Sequence, residues 1–168
     1  MKYEILKDEF IEFDDRKLYR IKALKDFRDV RKGTVGGYIE YEQNLSQQGN
    51  AWIYDDAQVY GDARVSGNAW VCGSAWVSGN ARVSDDARVY GNNAVVWFSN
   101  VGTENGTLTV YCGKDGLIAT RGCFTGSVEE FLTKSAEVHD EKTKREYELL
   151  IEVARSRLKE AQGNIGSE

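Results

Sequence analysis

Residues 59–94 form the most regular part of the chain and read VYGDAR, VSGNAW, VCGSAW, VSGNAR, VSDDAR and VYGNNA in consecutive groups of six. Valine opens every group, and in all but the last an alanine follows four positions later. The same spacing continues toward the N-terminus as far as Val35, with residues that match the valine and alanine pattern less closely. Self-similarity at a short fixed period is typical of stacked repeats, and a period of six indicates a parallel β-helix.

Each group of six contains a short strand and a corner. In Ala63-Arg64-Val65, alternate side chains point to opposite faces of an extended segment, so the alanine and the valine share one face. The Gly-Asp, Gly-Asn or Asp-Asp pair of each group tolerates positive φ or bonds to its own backbone, which suits a turn. A unit this small cannot bury its apolar face alone, whereas coils stacked at about 4.8 Å bury a continuous core. The valines and alanines are therefore predicted to lie inside.

The spacing of an aliphatic residue and a small residue four positions later resembles the hexapeptide-repeat family. This resemblance implies a left-handed parallel β-helix with three groups in each triangular coil. The six-residue period does not determine the handedness of the helix. The general preference for right-handed crossovers argues against a left-handed one. With three groups per coil, residues eighteen apart stack on one face of the helix.

The segments on both sides of the repeats contain LYRIKALKDF (18–27), GGYIE (36–40), NLS (44–46), GNAW (49–52), WFSNVG (97–102), NGTL (105–108) and RGCFTG (121–126), followed by EEF (129–131). Together they resemble a family of proteins from bacteria and their phages that are labelled hexapeptide transferases from their fold. The resemblance covers nearly the whole chain. The label rests on analogy, because a fold does not by itself decide a function.

The chain divides into an N-terminal β-hairpin cap, the repeat helix, closing strands, two α-helices and a mobile tail, at 1–34, 35–95, 96–126, 127–162 and 163–168. The hairpin turns at Asp14 and covers the open end of the repeats, as a terminal cap must. A capping box from Ser127 to Glu130 begins the first helix. Asp140 caps the second helix, which is predicted to end at Gly163. The fold class is thus mainly β.

The composition of the 168 residues argues against several classes of protein. The formal net charge is −5 with both signs mixed along the chain, whereas a general nucleic-acid binder carries a basic stripe. No apolar run approaches the ~18 residues of a membrane span, and the N-terminal residues lack the apolar core of a signal peptide. The three cysteines are widely spaced without a CxxC pair, which indicates free thiols in the cytoplasm.

The sequence offers little for catalysis. Acyltransferases of the hexapeptide type, which the resemblance implies, use a histidine as general base because histidine titrates near neutral pH. The repeats contain no histidine, and the only one in the chain, His139, lies beside Asp140. His139 is therefore a weak catalytic candidate, and a helix cap or a surface position is the alternative. Cys72 has no histidine in the repeats to activate it as a nucleophile, and no ligand cluster for a metal is present.

The outward positions of the repeats form columns of distinctive side chains. An exposed aromatic column indicates an oligomer interface, a shelf for a flat ligand such as a nucleobase, or packing beneath the C-terminal helices. Two arginines stacked on neighbouring coils would place their guanidiniums about 4.8 Å apart, which suits a phosphate. The alternative is that such arginines form an ordinary solvent-exposed face. One face carries Trp52, Trp70 and Arg88 beside Tyr54, Cys72 and Tyr90, and a second carries Arg64 over Arg82.

We therefore predict a non-catalytic binding or assembly protein, a homotrimer that captures a small anionic ligand, for instance a nucleotide, or a protein partner. In a phage, such a protein would act as a counter-defence factor. No cofactor, metal or membrane contact is expected. One alternative is a CoA-dependent acyltransferase with a CoA thioester as cofactor, and another is a purely structural oligomer. The predicted ligand-binding residues are Trp52, Tyr54, Arg64, Trp70, Arg82, Arg88 and Tyr90.

Overall fold

The computed structural model describes the backbone of residues 1–166 and the side chains of residues 1–158. The chain is mainly β: short parallel strands wind into a solenoid, antiparallel strands flank it, and two helices follow. The helices are α1 (Val128–Val138) and α2 (Glu141–Gly166). The strands are β1 (Tyr3–Phe13), β2 (Arg16–Ala23), β3 (Val35–Ile39), β4 (Trp52–Ile53), β5 (Gln58–Val59), β6 (Arg64–Val65), β7 (Trp70–Cys72), β8 (Trp76–Val77), β9 (Arg82–Val83), β10 (Arg88–Tyr90), β11 (Val95–Val101), β12 (Gly106–Cys112), β13 (Leu117–Arg121) and β14 (Phe124–Ser127).

The solenoid strands stack on three faces. Strands β3, β5 and β8 form one face, β4, β7 and β10 the second, and β6 and β9 the third, all in parallel pairs. Trp70 lies opposite Trp52 on one side and Arg88 on the other, and Arg64 lies opposite Arg82. These partners are eighteen residues apart, so the stacking predicted from the period is confirmed.

The repeated valines and alanines form the interior of the solenoid. At the corners a residue with positive φ turns the chain from one face to the next, as at Gly67, where φ is +65°. A Cβ at Gly67 would lie 2.7 Å from the backbone nitrogen of Asp85 in the next coil, so this corner requires glycine. The buried interior residues, each at most 1 % exposed, are Val59, Val65, Val71, Val77, Val83 and Val89 with Ala57, Ala63, Ala69, Ala75, Ala81 and Ala87.

The N-terminal hairpin covers one edge of the solenoid, because β2 pairs antiparallel with both β1 and β3. Pairing between the two strands of the hairpin begins where Tyr3 lies opposite Ala23. Fully buried Asn44 closes the same end of the solenoid. Its side-chain amide donates to the carbonyl oxygens of Gly61 at 3.1 Å and Ala63 at 2.8 Å. One side chain thus satisfies two carbonyls at the edge of the first coil.

The antiparallel sheet of β11, β12, β13 and β14 covers the other end of the solenoid. Hydroxyl groups of this sheet take the place of a further coil. Thr109 Oγ1 accepts a hydrogen bond from the backbone nitrogen of Arg82 at 3.0 Å, and Thr120 Oγ1 donates to the carbonyl of Arg82 at 2.8 Å. The hydroxyl of Tyr111 accepts from the backbone nitrogen of Ser84 at 3.1 Å. These backbone groups of Arg82 and Ser84 are therefore satisfied by side chains of the closing sheet.

The two helices follow the closing sheet. Helix α1 begins with the predicted capping box, in which Ser127 and Glu130 each accept a hydrogen bond from the other's backbone nitrogen. Helix α2 buries an apolar stripe that includes Tyr147 and Ile151. It continues to Gly166, past the predicted end at Gly163, and residues 167–168 of the predicted mobile tail lie outside the described residues. Neither helix, as far as it is described, is both long and apolar enough to cross a membrane.

Candidate functional site

The residues predicted to bind a ligand form two groups on different faces of the solenoid. The aromatic column lies on the face of β4, β7 and β10, whereas Arg64 and Arg82 lie on the face of β6 and β9. Strand pairing thus brings the members of each group together but keeps the two groups apart. The predicted residues do not converge on one site, and each face has its own environment.

The first part of the aromatic column is buried by the N-terminal segment of the chain. Trp52 has an exposed fraction of 0 %. Its ring meets the rings of Tyr3 and Phe27 edge-on, with centroid distances of 6.3 Å and 5.4 Å. The expectation that Trp52 lies on an exposed surface is wrong, because residues that precede the repeats fold over it. Trp52 is a core residue with no face open to a ligand.

The middle of the column is covered by the loop that follows β2. The guanidinium of Arg28 lies over the ring of Trp70 at 4.6 Å, and it donates to the carbonyl of Asn68 at 2.6 Å and the hydroxyl of Tyr54 at 3.2 Å. The Tyr54 hydroxyl in turn donates to Asp29 at 2.7 Å. Burial, followed by the hydrogen bond to Asp29, raises the pKa of Tyr54. The loop therefore occupies much of the predicted ligand shelf.

The remaining members of the column differ in exposure. Cys72 is only 8 % exposed, and burial, followed by the negative charges of Asp55 and Asp29, raises the pKa of its thiol to about 12. A thiol with this pKa is not a nucleophile at neutral pH. Arg88 and Tyr90 remain exposed at the end of the column, and Arg88 lines a pocket of about 310 Å³.

A cavity of about 740 Å³ lies over the face of β6 and β9 and is lined by Arg64 and Arg82. A second cavity of about 470 Å³ shares both arginines together with Gln43 and Gly122, so the two cavities are adjacent. We call them together the arginine cleft. Each of the two cavities has a volume in the range of roughly 300–1,000 Å³ that is usual for small-molecule sites.

Serine side chains stand beside the two arginines on the floor of the cleft. Ser66 and Ser84 each follow one of the arginines by two positions and line the same cavity. The hydroxyl of Ser84 lies 3.4 Å from that of Tyr111, which ties it to the closing sheet. Guanidinium and hydroxyl groups on neighbouring coils present several donors to the same space. This arrangement suits the oxygens of an anion such as phosphate.

Another wall of the cleft comes from the turn between β13 and β14, a segment in which the sequence predicted no site. Gly122 and exposed Cys123 lie in this turn. The turn reaches the cleft because Thr109 and Thr120 hold the closing sheet against the backbone of Arg82. Its only sequence signal was the RGCFTG motif, whose position in space depends on how the sheet packs on the solenoid.

The guanidiniums of Arg64 and Arg82 are exposed and form no ion pair or side-chain hydrogen bond with any residue whose side chain is described. Glu42 and Asp62 line the cleft without pairing with them. By contrast, Arg16, Arg20 and Arg121, which lie outside the repeats, each pair with a carboxylate. Among the described side chains, no carboxylate is therefore within ion-pair distance of the two cleft arginines.

His139 does not line the cleft. It is the C-cap of α1, where its Nδ1 lies 2.9 Å from the hydroxyl of Ser135 and its ring lies 5.4 Å from that of Tyr147. The carboxylate of Asp140 accepts a hydrogen bond from the backbone nitrogen of Thr143 at 2.8 Å, and this bond lowers the pKa of Asp140. Asp140 caps the second helix, and among the described side chains no hydrogen bond joins its carboxylate to the imidazole of His139. These contacts support the helix-cap interpretation of His139.

The coils are similar in sequence to a known type of solenoid repeat. A family model described as "YdcK Beta solenoid repeat" matches residues 57–73, 75–91 and 81–96. These residues form the central strands of the solenoid, β5 to β10. The match and the parallel stacking together define a β-solenoid repeat protein.

A protein of Escherichia coli (strain K12) named "Uncharacterized acetyltransferase YdcK" is 55 % identical to this chain over 38 residues. The matched part is 23 % of this chain and 12 % of that protein, so the similarity spans a small part of the relative's length. The similarity is to a short part of a protein that is itself named uncharacterized. It does not distinguish a binding protein from an acyltransferase.

Proposed function

We propose that this protein is a non-catalytic binding protein whose arginine cleft takes a small phosphate-bearing ligand. The observation that carries the proposal is the pair of Arg64 and Arg82, which lie in register on neighbouring coils and face the cleft without an ion-pair partner in the described chain. Arginine is well suited to phosphate because its planar guanidinium can donate two parallel hydrogen bonds to one anion. Binding such a ligand would neutralise the exposed positive charge.

The surroundings of the two arginines support a phosphate as the recognised group. Ser66 and Ser84 add hydroxyl donors next to the guanidiniums. The cavity of about 740 Å³ accommodates a ligand as large as a mononucleotide. The aromatic column lies on another face, so it offers no stacking surface to a base bound in the cleft. The proposed ligand class is therefore defined by its phosphate, and nucleotides are one member of it.

Isothermal titration calorimetry with pyrophosphate tests this proposal. Arg64→Gln and Arg82→Gln should each weaken pyrophosphate binding about ten- to hundredfold, since a hydrogen bond to a charged group contributes about 1.5–3 kcal/mol. Arg88→Gln is the matched control, because Arg88 is also exposed and occupies the same position of its repeat on another face. The proposal is wrong if pyrophosphate does not bind, or if Arg88→Gln weakens binding as much as the two cleft variants do.

The second candidate function is a CoA-dependent acyltransferase of the hexapeptide-repeat type. It is supported by the partial similarity to a protein that is named an acetyltransferase. CoA also carries phosphates, so the same arginines would serve it. The test is thiol release from acetyl-CoA with a broad panel of acceptors. Release that His139→Ala abolishes would support the enzyme, whereas CoA binding without release would support the binding protein.

We also propose that the solenoid is left-handed, as the resemblance of its repeats to the hexapeptide family implies. We further propose that the protein is a homotrimer and that it resides in the cytoplasm. Tyr90 and Trp76 are 45 % and 47 % exposed and are suitable anchors for a second copy. The free thiols support a reducing compartment. Light scattering tests the assembly, and a monomer at micromolar concentration would contradict it. A trimer that binds no pyrophosphate or CoA would instead be a purely structural oligomer.

A further inference from the structure

We infer that Arg121 is a third cation of the arginine cleft and that the carboxylate of Glu104 occupies it as an internal competitor of the anionic ligand. This inference rests on the proposed function, because it concerns the same cleft. Arg121 and Glu104 both line the part of about 470 Å³, which they share with Arg64 and Arg82. The cleft thus has three guanidiniums, and one of them already holds a carboxylate.

Arg121 is held firmly on the side that faces the protein. Its Nε donates a hydrogen bond to the hydroxyl of Tyr147 at 2.7 Å, and its side chain is only 14 % exposed. Tyr147 lies on α2 and is fully buried, so its hydroxyl is a fixed hydrogen-bond partner for Arg121. A guanidinium is planar, and fixing Nε therefore fixes the direction of its other nitrogens. The position of Arg121 is set by the helix, whether or not an anion is present.

The contact on the cleft side of Arg121 is much looser. An oxygen of Glu104 lies 3.6 Å from Nη1 of Arg121, which is too long for a hydrogen bond, and the Glu104 side chain is 79 % exposed. Glu104 stands on the short turn between β11 and β12, and Gly102 anchors that turn by donating a backbone hydrogen bond to Glu146. Exposed ion pairs contribute little to stability. An anion that forms shorter charge-assisted bonds should displace this carboxylate.

Glu104 differs from the other acidic residues of the cleft. Glu42 and Asp62 line the cavities, yet neither pairs with a cleft arginine among the side chains that the structure describes. Glu104 alone in this set occupies a guanidinium that the ligand would use. Its carboxylate should therefore lower the affinity for an anion in two ways, by competition for Arg121 and by repulsion.

The test is a calorimetric titration of the full chain with pyrophosphate. Glu104→Gln should bind pyrophosphate about three- to fivefold more tightly than the wild type, as expected for removing an exposed competitor. Glu129→Gln is the matched control, because Glu129 is 71 % exposed, pairs with Arg155 at 3.0 Å and lies outside the cleft. An equal gain in both variants would show an effect of net charge and would overturn the inference.

A second pair of variants separates competition from repulsion. In an Arg121→Gln background, pyrophosphate binding should weaken, and Glu104→Gln should then improve it less than about twofold, because sites in contact are coupled. A full gain in that background overturns the inference. Wild-type binding that depends on Arg64 and Arg82 but is not improved by Glu104→Gln overturns this inference alone. Absence of pyrophosphate binding in both the wild type and Glu104→Gln overturns the proposed function as well.

Discussion

The ring of Phe27 stands edge-on to the ring of Trp52, with 5.4 Å between their centroids. Phe27 belongs to the loop that follows the N-terminal hairpin, and Trp52 occupies an outward position of the solenoid. Tyr3 meets the same indole from the first strand, at 6.3 Å. The first complete coil is therefore packed on its outer side as well as its inner side, and the N-terminal segment is part of the core.

Replacing Trp52 should destabilise the protein strongly. Trp52→Ala removes a fully buried indole, and we expect a loss of about 3–5 kcal/mol in the free energy of unfolding. Trp76→Ala is the matched control, because Trp76 occupies an equivalent repeat position but is 47 % exposed, and its loss should be about 1 kcal/mol. Urea denaturation followed by circular dichroism measures both. Equal losses would show that the N-terminal segment does not stabilise Trp52.

The buried amide of Asn44 should be a second important contact. Asn44→Ala leaves the carbonyls of Gly61 and Ala63 without their donor, and we expect a loss of roughly 2–4 kcal/mol in the free energy of unfolding. The control is Asn50→Ala, since Asn50 is exposed and its amide makes a long contact of 3.4 Å to Asn68. The same denaturation experiment compares the two variants. A loss below that of the control would contradict the role of Asn44 at the edge of the coil.

The buried ammonium of Lys2 should make stability depend on pH. Lys2 donates to the carbonyl of Ala51 at 2.8 Å, and burial, with smaller contributions from the charges of Arg28 and Lys25, lowers its pKa from 10.5 to about 8. Between these two values the unfolded chain binds more protons than the folded chain. The free energy of unfolding attributable to Lys2 should therefore rise as the pH increases from about 8 to 10.5.

Comparing the wild type with Lys2→Met separates the contribution of Lys2 from that of other groups that titrate between about pH 8 and 10.5. The difference in unfolding free energy between the wild type and Lys2→Met should grow in favour of the wild type as the pH rises from about 8 to 10.5. Lys32→Met, at an exposed lysine, should keep the pH dependence of the wild type. Denaturation at a series of pH values measures the difference. A constant difference for Lys2→Met would mean that Lys2 has an ordinary pKa in the folded protein.

The reaction rate of the exposed Cys123 thiol should report whether an anion occupies the arginine cleft. Cys123 should react with a thiol reagent in the native protein, whereas buried Cys72 and Cys112 should react only on unfolding. Pyrophosphate at about ten times its Kd should slow the reaction of Cys123 about tenfold if the bound anion blocks the cleft. Arg82→Gln should reduce this protection at the same concentration. Undiminished protection in that variant would place the anion elsewhere.

Local sequence patterns predicted the features of this protein that depend on neighbouring residues, and they did not predict contacts between distant segments. Alternation within a strand and the spacing of eighteen residues predicted the inward valines and the stacking of Arg64 on Arg82, because both follow from the geometry of one repeat. The capping box at Ser127 is a local pattern of the same kind. The pairing of Arg121 with Tyr147 joins a strand to a distant helix, and no local pattern indicates it.

The period of six was sufficient to specify a solenoid, since every coil repeats the same burial pattern and hydrogen bonds to the next. Which outward column remains accessible was decided by tertiary structure. Trp52 was covered by segments that precede the repeats, whereas Arg64 and Arg82 were left open beneath the turn that contains Gly122. The physical reason is that accessibility depends on contacts between segments far apart in the chain. Such contacts leave no periodic signal in the sequence.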